Sequence, residues 1–202
     1  MERAGLIDKP DCVDEVIMGN VISAGLGQAP ATTAARLGGI PPSVPTCSVN
    51  KVCASGMKAI MQAANAIHGG QSHIIVAGGM ESMTRAPYLL PTGVRTGGLR
   101  YGDGTITDSL RLDGLTDEAT GQAMGYYGEL CASEFGLDRR ASDVYAMESF
   151  EKALRAQTAG HFCDEIIPVT VSKGKEKRAP LPPPSTIIPF SHSRREDLLM
   201  AT

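Results

Sequence analysis

Thr46-Cys47-Ser48-Val49, then Met57, Ile60, Met61, Ala64 and Ile67, then His73-Ile74-Ile75-Val76-Ala77 closing on Gly78-Gly79: this stretch decides the fold. The first run is β-leaning. The five apolar positions that follow keep the i, i+3, i+4, i+7 spacing of one helix face, and Gly69-Gly70 supplies a C-cap. The third run is continuously apolar, as expected of a strand buried on both faces. Strand, helix and strand in this order predict a βαβ crossover, and so an α/β fold.

Upstream, Asp14-Glu15-Val16-Ile17-Met18 reads as another strand, entering a Gly-rich loop. Pro30 to Leu37 follows as a helix with Pro in its first turn, stopped by Gly38-Gly39 and Pro41-Pro42. Downstream, from Met80 to about Gly114, periodicity fades; Pro87, Pro91 and five glycines between 93 and 104 mark a long excursion. Loops of this length usually serve a site or an interface. Helical patterning resumes near Thr120 with Met124, Tyr127, Cys131 and Phe135 on one side. A second helix is expected from an N-cap at Ser142, with Ala146, Phe150, Ala153 and Leu154 as its buried stripe and Gly160 as its end. Glu165 to Ser172 reads as a strand, with Pro168 hinting at an edge. Residues 173–202 change character, with a basic run, Pro182-Pro183-Pro184 and a polar end, and read as a disordered Pro-rich tail.

Composition narrows the function classes. With 42% apolar and 20% charged residues among 202, the chain is of globular type, and its net charge of −3 argues against non-specific nucleic-acid binding. No run approaches the roughly 18 apolar residues of a membrane span. Cys12, Cys47, Cys53, Cys131 and Cys163 include no C-x-x-C pair and are odd in number, which suits neither a disulfide framework nor a zinc site. His68, His73, His161 and His192 are scattered singly, so no metal site is read.

The chemistry concentrates in Asn50-Lys51-Val52-Cys53-Ala54-Ser55-Gly56-Met57-Lys58-Ala59, where a thiol sits between the end of a β-run and the start of a helix. A helix N-terminus offers unpaired N–H groups and the positive end of the macrodipole, which favour a thiolate and can hold a developing oxyanion. Ala54, Ser55 and Gly56 are small enough to let a substrate approach. The competing reading is a buried cysteine acting as a small core residue.

This ten-residue run is similar to the nucleophile motif of the thiolase family, and of its acetoacetyl-CoA thiolases in particular. Gly19-Asn20-Val21 with Gly27-Gln28-Ala29-Pro30, and Val76 through Met83, resemble two further thiolase segments in the right order. Asp113 through Asp117, Met124-Gly125 and Glu165 through Val169 extend the likeness, which covers most of the chain to Ser172. It implies a thiolase-type N-terminal domain over 1–172, with a mainly parallel sheet, helices on both faces and the family's first strand missing.

The resemblance further implies an acyl-CoA C-acyltransferase. Cys53 is then the nucleophile that becomes acylated by acetyl-CoA or a 3-ketoacyl-CoA, and Leu115 and Met124 line the pocket for the acyl end and the pantetheine arm. On periodicity alone both are ordinary core residues. Ala123 departs from the acetoacetyl-CoA enzymes, where a histidine commonly stands at that position, and this touches substrate preference. Coenzyme A enters as a substrate thioester, with no cofactor, metal, nucleic-acid or membrane partner; a homo-oligomer in the mitochondrion is implied, with cytoplasm or peroxisome as alternatives.

The Gly-His-Pro, Cys-x-Gly-Gly-Gly and Asn-Glu-Ala-Phe contexts that carry the family's base, second cysteine and one oxyanion hole do not occur here. A catalytically incomplete fragment is therefore expected, with association with intact thiolase subunits as the alternative. Dinucleotide binding through Gly25-Leu26-Gly27-Gln28-Ala29-Pro30 is a weaker alternative, because Pro30 replaces the third glycine and no acidic ribose partner follows.

Overall fold

The computed structural model describes residues 4–6 and 8–167, and the backbone of 172–173 and 176–177. The chain divides into two compact units, 1–128 and 129–202. In the first, β1 (Glu15–Gly19), α1 (Pro30–Leu37), β2 (Thr46–Val49), α2 (Ser55–His68) and β3 (Ile75–Gly79) form a three-stranded sheet ordered β2-β1-β3. Both pairings are parallel, with Val16 beside Thr46 and Val76. The expected crossover is present.

Period-2 alternation along β1 sorts the two helices onto opposite faces. Val16 packs with Val13, Ala35, Ile40 and Val44, and half-buried Met18 and Val76 join that cluster on the α1 side. Ile17 points the other way, to Ala59 and Ala63 of α2, with Val49, Ile75 and Ala77 around it. Burying a side chain the size of Ile17 is worth about 1.5–3 kcal/mol. β3 is only half-buried along most of its length, rather than buried on both faces, because it lies at the edge of the described sheet.

Several short hydrogen bonds fix this unit. Asp14 accepts the His73 and Ile74 N–H groups at 2.6 and 2.9 Å, which docks the start of β3 against β1. Those two donors, Ile74 first, hold the Asp14 carboxyl below its usual value. α1 begins on Ala29 in a left-handed conformation with no side-chain cap, and the Ser48 hydroxyl accepts the Ala31 N–H instead.

The apolar spacing of α2 marks the wrong face. Met57 and Ile60 are 67% and 57% exposed, whereas Ala59 is fully buried and Ser55 and Ala63 nearly so. Small side chains four residues apart let the helix axis approach the sheet closely, and the long side chains of the same helix are left outside.

The excursion after β3 contains a 3-10 turn at Met83–Arg85 and an antiparallel pair, β4 (Tyr88–Leu89) with β5 (Thr107–Asp108). Between them lies the short α3 (Val94–Gly97), and after β5 a π-helical turn spans Leu110–Leu115. α4 follows at Met124–Glu134.

In the second unit, α5 runs Arg139–Thr158 and its N-cap is Asp138, not Ser142. The Asp138 carboxylate accepts the Ala141 N–H at 2.6 Å, and Ser142 instead bonds back to the Asp138 carbonyl, so the nearer carboxylate caps the helix. Ala146, Phe150, Ala153 and Leu154 are exposed rather than a buried stripe. Glu165–Ile167 are not strand, 168–171 lie outside the described residues, and β6 (Ser172–Lys173) pairs antiparallel with β7 (Glu176–Lys177). The remainder of the expected Pro-rich tail lies outside the described residues.

Candidate functional site

Between the end of β2 and the start of α2 the chain turns through Val52, which has φ +48°. A β-branched residue in the left-handed region is a genuine outlier that persists only where surrounding bonds hold it, at a cost of about 1–3 kcal/mol. Those bonds are present: the Asn50 side-chain oxygen accepts the Val52 N–H at 2.9 Å, and the Ala54 N–H reaches the Lys51 carbonyl at 3.1 Å. Cys53 follows the outlier directly and is exposed, so the small-core-residue reading does not apply to it.

Close backbone approach builds the floor. A Cβ placed on Gly19, at the carboxyl end of β1, would lie 2.5 Å from the Gly56 nitrogen and from the Ser55 carbonyl carbon. One on Gly79, at the carboxyl end of β3, would lie 3.2 Å from the Gly56 Cα. Only glycine lets the two strand ends and the first turn of α2 meet in this way. Here, outside the carboxyl ends of parallel strands, open α/β sheets place their ligand crevices.

A cavity of about 380 Å³ occupies that crevice. Its wall includes Cys53, apolar Val21, Ile22, Met80 and Leu110, and polar Asn20 and Glu81. Glu81 ties the rim together, its carboxylate accepting the Val21 and Ile22 N–H groups at 2.8 and 3.2 Å and the Asn20 amide at 3.0 Å. The Asn20 side-chain nitrogen also donates to the Met80 carbonyl, while its buried side-chain oxygen has no partner among the described residues. One thiol in an otherwise largely apolar pocket suits an acyl group with a short aliphatic portion.

Of the residues singled out from sequence, Cys53 and Leu115 share this cavity wall; Met124 does not line it. Leu115 ends the π-helical turn and Met124 begins α4, and the loop between them is closed by a Thr116–Ala123 bridge. The Asp117 carboxylate organises that loop, accepting the Thr120 hydroxyl at 2.7 Å, the Tyr127 hydroxyl at 2.9 Å and the Thr120 N–H at 2.9 Å. The two hydroxyls, that of Thr120 first, hold its carboxyl below the usual value.

Asn20, Glu81, Gly19 and Gly79 had no role in the reading of the sequence, and Gly56 entered it only as a small residue beside the thiol. Gly19, Asn20, Gly79 and Glu81 nonetheless lie inside the segments that carry the family resemblance, which was the available signal. Among the described residues no cluster of histidine, cysteine or carboxylate side chains is arranged to hold a metal.

The sequence profile described as "Thiolase, N-terminal domain" matches residues 1–182. An acetyl-CoA acetyltransferase of Cupriavidus necator is 49% identical over 175 residues, covering 87% of this chain and 44% of that protein. Acetyl-CoA acetyltransferase 2 of Arabidopsis thaliana is 48% identical, covering 89% of this chain and 42% of that one. The crystal structure of a thiolase from Ascaris suum in complex with coenzyme A superposes with a TM-score of 0.74 at 40% identity, over 79% of this chain and 41% of that chain. The chain thus spans less than half the length of these relatives.

Proposed function

The chain belongs to the thiolase family through its N-terminal domain, and from that premise we propose that it carries the acyl-accepting part of an acyl-CoA C-acyltransferase site, with Cys53 as the nucleophile. The observation that carries this reading is an exposed thiol directly after a strained elbow, at a helix N-terminus and in the wall of an apolar cavity. The Cys53 sulfur, as thiolate, attacks the carbonyl carbon of an acyl-CoA thioester. A new carbon–sulfur bond forms, the bond to the coenzyme A sulfur breaks, and coenzyme A leaves as its thiolate, leaving an acyl-cysteine. The first turn of α2 brings the positive end of its dipole to the place where the carbonyl oxygen gains charge.

Acetyl-CoA and acetoacetyl-CoA are the proposed acyl donors, since the cavity admits a short acyl chain and the relatives above are acetyltransferases. Leu115 supplies apolar wall to that chain; Met124, standing at the far end of the Asp117-organised loop, is proposed to meet the pantetheine arm. The test is mass spectrometry of the folded chain after incubation with acetyl-CoA. A single acetyl adduct on the peptide carrying Cys53, absent in Cys53→Ser, is expected; an adduct on Cys131 or Cys163 with Cys53 free would refute the assignment.

A second reading, association with other thiolase subunits, draws on the apolar stripe of α2 that the described residues leave exposed at Met57, Ile60, Met61 and Ile67. Sedimentation of the chain alone and mixed with an intact thiolase distinguishes this role from catalysis.

A further inference from the structure

The elbow that carries Cys53 contains one buried polar side chain. Ser55 is only 5% exposed; it lies in the cavity wall, and its hydroxyl bonds across the turn. It accepts the Lys51 N–H at 2.9 Å and donates to the Val52 carbonyl at 2.5 Å. A single oxygen therefore joins the residue before the left-handed Val52 to Val52 itself, from the first position of α2.

We infer that Ser55 is a positioning residue for the Cys53 thiol: its hydroxyl latches the strained elbow closed and so fixes where the sulfur stands relative to the cavity. The inference rests on the reading of Cys53 as acyl acceptor only for its purpose, since the latch itself is a matter of geometry. Val52 gains nothing locally from φ +48°, so external bonds must maintain it. The Lys51 N–H lies beyond the last residue of β2 and is given to the hydroxyl, so removal of the oxygen leaves that donor unmatched. Once the hydroxyl is gone, the Val52 carbonyl keeps only the Ser55 N–H at 3.0 Å, and the elbow is left to the Asn50 side-chain oxygen on the Val52 N–H and the Lys51 carbonyl on the Ala54 N–H, neither of which engages the Lys51 N–H. Relaxation of Val52 towards negative φ would swing the next residue, which is Cys53.

A merely structural serine would lower stability without acting selectively at the elbow. Two readouts separate these roles in the full chain: hydrogen exchange at the Lys51 amide, and the rate of iodoacetamide alkylation at Cys53 relative to Cys131. In the unaltered chain the Lys51 amide should be protected to the degree of strand amides. In Ser55→Ala that protection and the relative alkylation rate should each fall about tenfold, the equivalent of one hydrogen bond at about 1.4 kcal/mol per decade. Exchange in β1 should remain unchanged. Ser55→Thr keeps the hydroxyl and should retain both properties. An unprotected Lys51 amide in the unaltered chain overturns the inference even if Ser55→Ala does not fold. So does an alanine variant with both readouts intact, or a threonine variant that loses both. Should acetyl-CoA fail to label Cys53 while the latch and its loss are observed, the acyl-acceptor reading falls and the positioning role of Ser55 stands.

Discussion

Replacing Gly19 by alanine tests the close approach on which the whole site is built. The added Cβ would stand 2.5 Å from two backbone atoms of α2 and 2.8 Å from a third, the Ser55 carbonyl oxygen, where ordinary contact begins at 3.4 Å. About 0.9 Å of displacement is needed. No flexible side chain can absorb it, because the obstructing atoms belong to the Ser55–Gly56 backbone and Gly19 is itself held in register by Val49 and Gly79. Overpacking of this kind typically costs 1–3 kcal/mol, and a backbone-on-backbone clash belongs at the upper end, about 3 kcal/mol. That is more than a hundredfold in the folded-to-unfolded ratio. The assay is urea unfolding followed by far-UV circular dichroism, with Gly128→Ala as the control. Gly128 lies inside α4, where a built Cβ would meet nothing within 4 Å beyond its chain neighbours and the helix's own backbone, so alanine there should be neutral or add about 0.5–1 kcal/mol of stability. The acetyl labelling of Cys53 should fall with Gly19→Ala even under conditions where the variant is folded, since the displaced turn is the one that follows the thiol. A Gly19→Ala chain within about 0.5 kcal/mol of the unaltered one, labelled at an unchanged rate, would refute the reasoning.

Further outcomes follow from the same geometry. Asp14 has its carboxyl pKa lowered on folding by the Ile74 and His73 N–H groups, so its contribution is present above the unfolded value near 3.8 and is lost as pH falls through the lower folded value. Unfolding midpoints of the chain and of Asp14→Asn should therefore differ near neutral pH and converge in acid, and a gap that widens in acid would contradict this. Ile17→Ala, which empties the contact between β1 and the Ala59–Ala63 face of α2, should cost about 2–5 kcal/mol in the same urea assay. Among the described residues, the wall of the cavity holds the Cys53 thiol but no histidine and no second cysteine. Positioned acid–base groups are worth about 10²–10⁴ in rate, so the chain by itself should become acetylated without sustained cleavage of acetoacetyl-CoA. Turnover that disappears in Cys53→Ser would show that another group serves as base.

The order of elements along the first unit was legible because local physics writes it directly into the chain. Apolar β-leaning runs gave β1, β2 and β3 to within two residues, Pro30 opened α1, and Gly69 closed α2. Cys53 could be placed at a helix start from the same boundaries, and the motif segments around Gly19, Cys53 and Gly79 pointed to the family. The buried face of α2 could not be read this way. Spacing finds the face with the largest apolar side chains, but a helix crossing a sheet near a glycine strand end packs with its smallest ones, and that choice depends on a neighbour more than thirty residues away in sequence. Membership of the cavity depended likewise on the path of the chain after β3. Leu115 and Met124 are equivalent as apolar residues, yet the loop tied by Asp117 sets them at its two ends, and only Leu115 stands in the wall beside Cys53. Sequence alone determined the elements from β1 to β3 and the place of Cys53 at a helix start, because both are local. Tertiary structure alone decided which side chains meet around that residue, because distances between distant segments are set by packing.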